Sequence, residues 1–198
     1  VNELKPLNIG VPLLYESYYP FDTDTLLNKF RNLFTTIDYK KYNDFLELGE
    51  SGTSATIKNE GPHTWVEMYD FNYWATNHAA SILNAWGYKF NQLKIDNSWI
   101  NCHWPGGWTN FHTHPFSNLS LVAYINAPKK SGNLLVIDPL ENHWHGFPTF
   151  RNMRMGDGQP IIVEKNKVIF FAPFLRHGTE KNMSDQERWV ISMNISVL

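Results

Sequence analysis

Two kinds of hydrophobic spacing divide the chain near residue 92. Before that point the period is helical. Leu26, Leu27, Phe30, Leu33 and Phe34 fall at i, i+1, i+4, i+7 and i+8 behind Asp22, a residue suited to capping, and predict a helix of about 13 residues. Trp74, Ala75, His78, Ala79, Ile82, Leu83 and Trp86 fall on one face of a second helix from about Asp70 to Trp86, with Gly87 just beyond its end. From Leu93 onward the spacing changes to period 2, predicting strands at 93–104, 119–127, 133–138, 160–164, 167–172 and 188–197. Pro105-Gly106-Gly107, Ala127-Pro128 with Ser131-Gly132, and Gly156-Asp157-Gly158 supply the turns between them. Residues 1–20 read as extended, with a short strand at Val11 to Leu14, and residues 49–63 lack any period and read as a loop. Helices followed by an all-β run, without βαβ alternation, predict a mainly β sandwich or barrel with N-terminal supporting helices. One domain is expected over 1–198, residues 1–92 buttressing a β body at 93–198.

The composition agrees with this picture and removes several function classes. Aromatic residues make up 15% of the chain, including eight Trp, which suits a β-rich core of large side chains. The net charge of -2 offers no basic surface for nucleic acid, and Lys129-Lys130 reads as part of a turn. Cys102 is the lone cysteine, so no internal disulfide forms and a reducing, cytoplasmic setting is expected. The first residues lack the basic and apolar regions of a signal peptide, and no apolar run reaches the roughly 18 residues of a membrane span. A Gly-rich phosphate loop, a Gly-x-Ser-x-Gly elbow and a cysteine cluster are all missing from the sequence.

Histidine placement supplies the candidate chemistry. His103, His112, His114, His143, His145 and His177 lie in the β body, and four of them form two His-x-His pairs. In an extended segment His112 and His114 face the same side and can converge on one metal ion. Alone, such a pair is more often surface polarity or packing. The strand at 167–172 leads into a turn carrying His177, and the last strand alternates an apolar face of Trp189, Ile191, Met193 and Ile195 with Arg188, Val190, Ser192 and Asn194. That second face is either solvent-exposed or the lining of a barrel mouth, where Arg188 would offer a planar fork to a carboxylate. Asn101 and His103 share an alternation with Leu93, Ile95, Asn97 and Trp99, as cavity lining or as core polarity. Trp108 and Asn110 adjoin the His pair and are candidates for shaping the pocket. His143 and His145, around Trp144, read equally as a substrate-facing or a packed loop, and His78 reads as a packed core histidine.

Taken together, His112-Thr113-His114-Pro115, Gly132-Asn133-Leu134, Asp138-Pro139, Pro173 with His177-Gly178-Thr179, and Arg188 with Ser192 and Asn194 resemble the Fe(II)- and 2-oxoglutarate-dependent oxygenases, in particular a branch found in bacteria and phages. The resemblance covers about residues 93–198 and implies a double-stranded β-helix, or jelly roll. It puts His112 on the first metal ligand and His177 on the distal one. Arg188 and Tyr124 fall where the far carboxylate of 2-oxoglutarate is bound, with Ser192 and Asn126 nearby. The family's usual carboxylate position holds His114. Either His114 completes the metal face, or it turns away and Asp138 replaces it; a two-histidine site completed by water or halide is a third arrangement. Three imidazoles would leave the site one charge more positive, favouring the dianionic co-substrate and raising the iron potential.

The resemblance thus implies an iron enzyme that couples decarboxylation of 2-oxoglutarate, with dioxygen, to hydroxylation of an amino acid or a peptidyl residue, proline included by analogy. Two alternatives stand beside it: a cupin-like three-histidine dioxygenase that uses no 2-oxoglutarate, and a non-catalytic jelly-roll binding protein. The expected partners are a small-molecule or peptide substrate and dioxygen, with neither nucleic acid nor membrane.

Overall fold

A computed structural model describes residues 12–20, 22–36, 46–55, 61–140 and 158–198. His143, His145 and part of the 49–63 stretch lie outside the described residues. Strands β1 (Leu14–Tyr18), β2 (Glu47–Leu48), β3 (Ser51–Thr53), β4 (Leu93–His103), β5 (Trp108–Thr109), β6 (Leu119–Asn126), β7 (Leu134–Val136), β8 (Gln159–Ile161), β9 (Lys167–Phe171), β10 (His177–Thr179) and β11 (Arg188–Val197) accompany helices α1 (Asp24–Thr36) and α2 (Tyr69–Ala85). Six strands form the larger sheet in the order β1-β9-β6-β11-β4-β3, and the opposite layer comprises β10-β7-β8 and the β2-β5 pair. A single antiparallel bridge between His112 and His177 joins the two parts of that layer.

The expected helices and long strands are present, and the alternation of β11 explains how the layers stack. Trp189, Ile191, Met193 and Ile195 lie in the core that the large sheet shares with Phe30 and Phe34 of α1 and Phe71, Ala75, Ala79 and Leu83 of α2. Burying this wholly apolar face under two amphipathic helices removes it from water. The opposite face of the sheet contributes Val122, Tyr124, Ile169, Phe171 and Val190 to a second core inside the jelly roll, with Leu134 of β7. Arg188 is fully buried there, so the polar face of β11 is interior rather than solvated. His78 packs 4.3 Å from the Trp74 ring and stacks parallel to Phe170 at 5.9 Å, which makes it a core histidine.

Several expectations need correction. Part of the 49–63 stretch is a buried edge strand, β3, paired with β4 from Asn101 to His103; Ser-Gly-Thr is too short and too polar to show a period. The first strand lies at Leu14–Tyr18, paired with β9, and Pro12 and Leu13, expected to belong to it, precede it; Val11 lies outside the described residues. Two backbone irregularities also reverse side-chain parity. Asn194 pairs with Asn97 but Ile195 with Ile95, leaving Asp96 as an extra residue. Leu93 and Ile95 therefore pack toward the helices, whereas Asn97, Trp99, Asn101 and His103 line the interior cavity. Likewise Val190 pairs with Tyr124 but Trp189 with Asn126, so Ile125 is extra and Asn126 changes side.

Candidate metal centre

Three histidines from two neighbouring segments converge. His112 and His177 exchange backbone hydrogen bonds, His112 N to His177 O at 2.9 Å and His177 N to His112 O at 3.0 Å, and the His114 N–H donates to Pro173 O at 2.9 Å. Gly178 permits this close approach: a Cβ there would stand 3.0 Å from Thr109 O and 3.2 Å from Phe111 N. Ligand-capable atoms of His112, His114 and His177 all lie within 4.8 Å of one another, and His114 Nε2 is 3.1 Å from His177 Nε2.

The rings are oriented by main-chain carbonyls. His112 Nδ1 is 2.9 Å from Asn110 O and His177 Nδ1 is 2.8 Å from Leu175 O. A carbonyl accepts only from N–H, so both rings carry a proton on Nδ1, which leaves Nε2 as the nitrogen available to a ligand. Burial, with the neighbouring His112, pushes the His114 pKa down to about 3. Burial and the two adjacent histidines hold His177 well below the usual range. Both are therefore neutral bases at ordinary pH. Trp99 stacks on His114 at 5.5 Å and Phe171 lies 4.5 Å from His177, forming an apolar wall. Neutral imidazoles held this way could hold a transition metal. Asp138 is outside the cluster; its carboxylate accepts the Leu140 N–H at 2.9 Å in a turn.

The histidines border a cavity of about 860 Å³ between the two sheets. Tyr124, Ser192, Asn194, Thr109 and Thr179 also line it. The Tyr124 hydroxyl is buried without a hydrogen-bond partner among the described residues, and burial pushes its pKa up to about 12, so it is a neutral donor. Arg188 lies behind the wall, its guanidinium bonded to Ser131 O, Gly132 O and Thr179 Oγ1.

Three expected pocket residues lie elsewhere. Asn126, turned by the irregularity at Ile125, donates from its side chain to Glu187 O at 2.7 Å. Trp108 points away because its neighbour Thr109 takes the inward position; Lys181 covers its ring at 5.7 Å. The Asn110 side chain accepts the Phe111 N–H, and only its carbonyl serves the site, through His112. Sequence reasoning misses Glu47 and Thr109 and names Thr179 only within the His177-Gly178-Thr179 motif, without a role. Thr179 was discoverable, because it shares a strand face with His177; Glu47 stands in an aperiodic stretch and gave no signal.

With this geometry in hand, comparison places the chain. The family described as "Putative 2OG-Fe(II) oxygenase" matches residues 97–194, and the chain belongs to the 2-oxoglutarate- and Fe(II)-dependent oxygenase superfamily. Similar solved structures include a Pseudomonas putida prolyl-4-hydroxylase (TM-score 0.62, 11% identity, covering 94% of this chain and 93% of that one). A Trichoplax adhaerens prolyl hydroxylase in complex with a hypoxia inducible factor peptide is also similar (0.60, 10%, 93% and 84%). So is HygX from Streptomyces hygroscopicus with nickel and 2-oxoglutarate bound (0.57, 10%, 93% and 83%). At these identities the likeness establishes the double-stranded β-helix fold. No curated protein matches by sequence. The family makes the chain an oxidoreductase that uses Fe(II), 2-oxoglutarate and dioxygen on a small-molecule or peptide substrate. Among the described residues no helix is long and apolar enough to cross a membrane.

Proposed function

We propose that the chain hydroxylates an amino acid or a residue within a peptide, proline included, with His112, His114 and His177 holding Fe(II). Bound iron with 2-oxoglutarate supplies dioxygen activation, the co-substrate being oxidised to succinate and carbon dioxide. The protein's part is to present three pre-oriented Nε2 donors, exclude water with Trp99 and Phe171, and direct the far carboxylate of 2-oxoglutarate toward Tyr124 and the charge of Arg188, with Ser192 on the same wall. The observation that carries this reading is the convergence of ring nitrogens of His112, His114 and His177 on a cavity that also holds a buried hydroxyl without a hydrogen-bond partner among the described residues. A buried orphan donor costs about 1–3 kcal/mol, and a carboxylate acceptor would remove that cost. The prolyl hydroxylases among the structural neighbours support a peptidyl substrate by fold analogy.

Anaerobic addition of 2-oxoglutarate to the Fe(II)-loaded protein should produce a metal-to-ligand charge-transfer band, and peptides that are substrates should yield succinate stoichiometrically with hydroxylation. Absence of the band would sink the reading. The three-histidine donor set also favours a second reading, a cupin-like dioxygenase; oxygen uptake with substrate but without 2-oxoglutarate would select it.

A further inference from the structure

At one side of the cavity, Glu47, His103, Thr109 and Thr179 of its wall and Arg188 behind it, from five strands, close a hydrogen-bonded ring that runs through the Thr109 backbone N–H. Arg188 Nε donates to His103 Nδ1 at 3.3 Å. His103 Nε2 lies 2.9 Å from Glu47 Oε2 and 2.8 Å from Thr109 Oγ1. The Thr109 hydroxyl donates to Glu47 at 3.0 and 3.1 Å. The Thr109 N–H donates to Thr179 Oγ1 at 2.9 Å, and Arg188 Nη2 donates to the same oxygen at 2.8 Å. Glu47, His103, Thr109 and Arg188 are all buried.

Donor and acceptor capacities make the ring directional. Nδ1 of His103 accepts from the guanidinium, so the ring is not an imidazolium and its proton sits on Nε2, facing Glu47. Burial and the Arg188 charge both push the His103 pKa down, in agreement. The guanidinium has five N–H groups. Nε–H is taken by His103, the two on Nη1 by Ser131 O at 2.5 Å and Gly132 O at 2.9 Å, and one on Nη2 by Thr179, while Glu180 O stands 3.5 Å from both terminal nitrogens. No fork remains for a bidentate ligand. Thr179 Oγ1 already accepts twice, so its own proton is free to donate, and Thr179 lines the cavity. It also lies two residues from His177 on the same strand face, about 7 Å further along.

We propose that Glu47 and His103 are positioning residues for the co-substrate. They lock the Arg188 guanidinium behind Thr179, so that the hydroxyls of Thr179 and Tyr124 donate to the far carboxylate while the arginine supplies charge. This rests on the reading of the cavity as a 2-oxoglutarate site. Glu47→Gln tests it, because the amide removes the negative charge that faces the His103 Nε2–H and puts an NH2 donor where Thr109 now finds a second acceptor oxygen. That weakens the hold on the His103 proton at Nε2 and, through Nδ1, the hold on the Arg188 guanidinium. Thr179→Val removes the donor hydroxyl, and Thr179→Ser restores it.

Two measurements decide the matter. Nitrogen-15 NMR of the histidine side chains should find His103 protonated on Nε2 with a bare Nδ1; an imidazolium or an Nδ1–H form in the wild-type protein would overturn the proposal whatever the activity. Anaerobic titration of the Fe(II)-loaded protein with 2-oxoglutarate should show dissociation constants raised about tenfold or more in Glu47→Gln and Thr179→Val, near wild type in Thr179→Ser, with metal affinity unmoved. Affinities within twofold of wild type in both variants overturn it too. If Glu47→Gln does not fold, the valine and serine pair at Thr179 carries the same comparison. Wild-type protein that does not bind 2-oxoglutarate overturns the underlying site reading and this proposal with it, while the tautomer still reports separately on the ring.

Discussion

His114 and His177 bring their Nε2 atoms to 3.1 Å across 63 residues of sequence. With both rings neutral, at most one proton can lie between them, so the pair is poised to receive a cation. Fe(II) or Co(II), bound only by the folded chain, should therefore raise the unfolding free energy by about 2.7 kcal/mol at a free concentration 100 times the dissociation constant. His114→Ala should weaken metal affinity by more than the roughly 10–100-fold that accompanies loss of an outer partner. Anaerobic metal titration with thermal unfolding measures both. Unchanged affinity in His114→Ala would assign the third position to another group.

Tyr124→Phe separates binding from stability. The hydroxyl has no partner among the described residues, so its removal should leave stability unchanged or raise it by about 1 kcal/mol. If the hydroxyl meets the co-substrate carboxylate, the KM for 2-oxoglutarate should rise about tenfold or more, the equivalent of one hydrogen bond to a charged group. Denaturant titration and succinate assays report the two effects independently. A fall in stability with no change in KM would reduce Tyr124 to a packing residue.

The elements that could be read from sequence are those long enough to show a period. β11 displays both faces over ten residues, and the interior position of Arg188 follows once that apolar face is assigned to the helices. His112 and His114 were legible for the same reason, whereas pairing them with His177 required the likeness to known oxygenases, since no local rule joins positions so far apart. The errors share a different cause. The resemblance puts Asn126 beside the co-substrate with Tyr124, and on a regular strand the two would share a face, but the extra residue at Ile125 turns Asn126 to the other side, and such irregularities are backbone events without a fixed side-chain signature. Glu47 belongs to a two-residue strand, too short for any alternation, and its role depends on pairing with β5.

Gly132 should be intolerant of a side chain. Its φ of +88° is in the left-handed region, and a Cβ would stand 2.6 Å from Glu180 O and 2.9 Å from Arg188 Nη1. Gly132→Ala should cost about 2–4 kcal/mol of stability, from left-handed strain and overpacking together. Because the clash falls on the guanidinium, 2-oxoglutarate affinity should drop as well. Denaturant unfolding and the anaerobic titration read these effects; an alanine variant matching wild type in both would mean that the loop relaxes freely.

Acid should destabilise the metal-free protein before its carboxylates titrate. His103, His114 and His177 have folded-state pKa values pushed below the ordinary 6.5, each chiefly by burial. Below about pH 6.5 the unfolded chain takes up protons on these imidazoles and the folded chain does not, so stability rises with pH through this window and falls as pH decreases. The loss continues until each folded-state pKa is reached, about 3 for His114. Each excluded proton contributes a slope of up to about 1.4 kcal/mol per pH unit. Urea unfolding of the metal-free protein at pH 7.5, 6.5 and 5.5 should show little change over the first interval and a clear fall over the second. Equal stability at pH 6.5 and 5.5 would mean that these imidazoles accept protons in the folded state, which is incompatible with His103 Nδ1 accepting from Arg188.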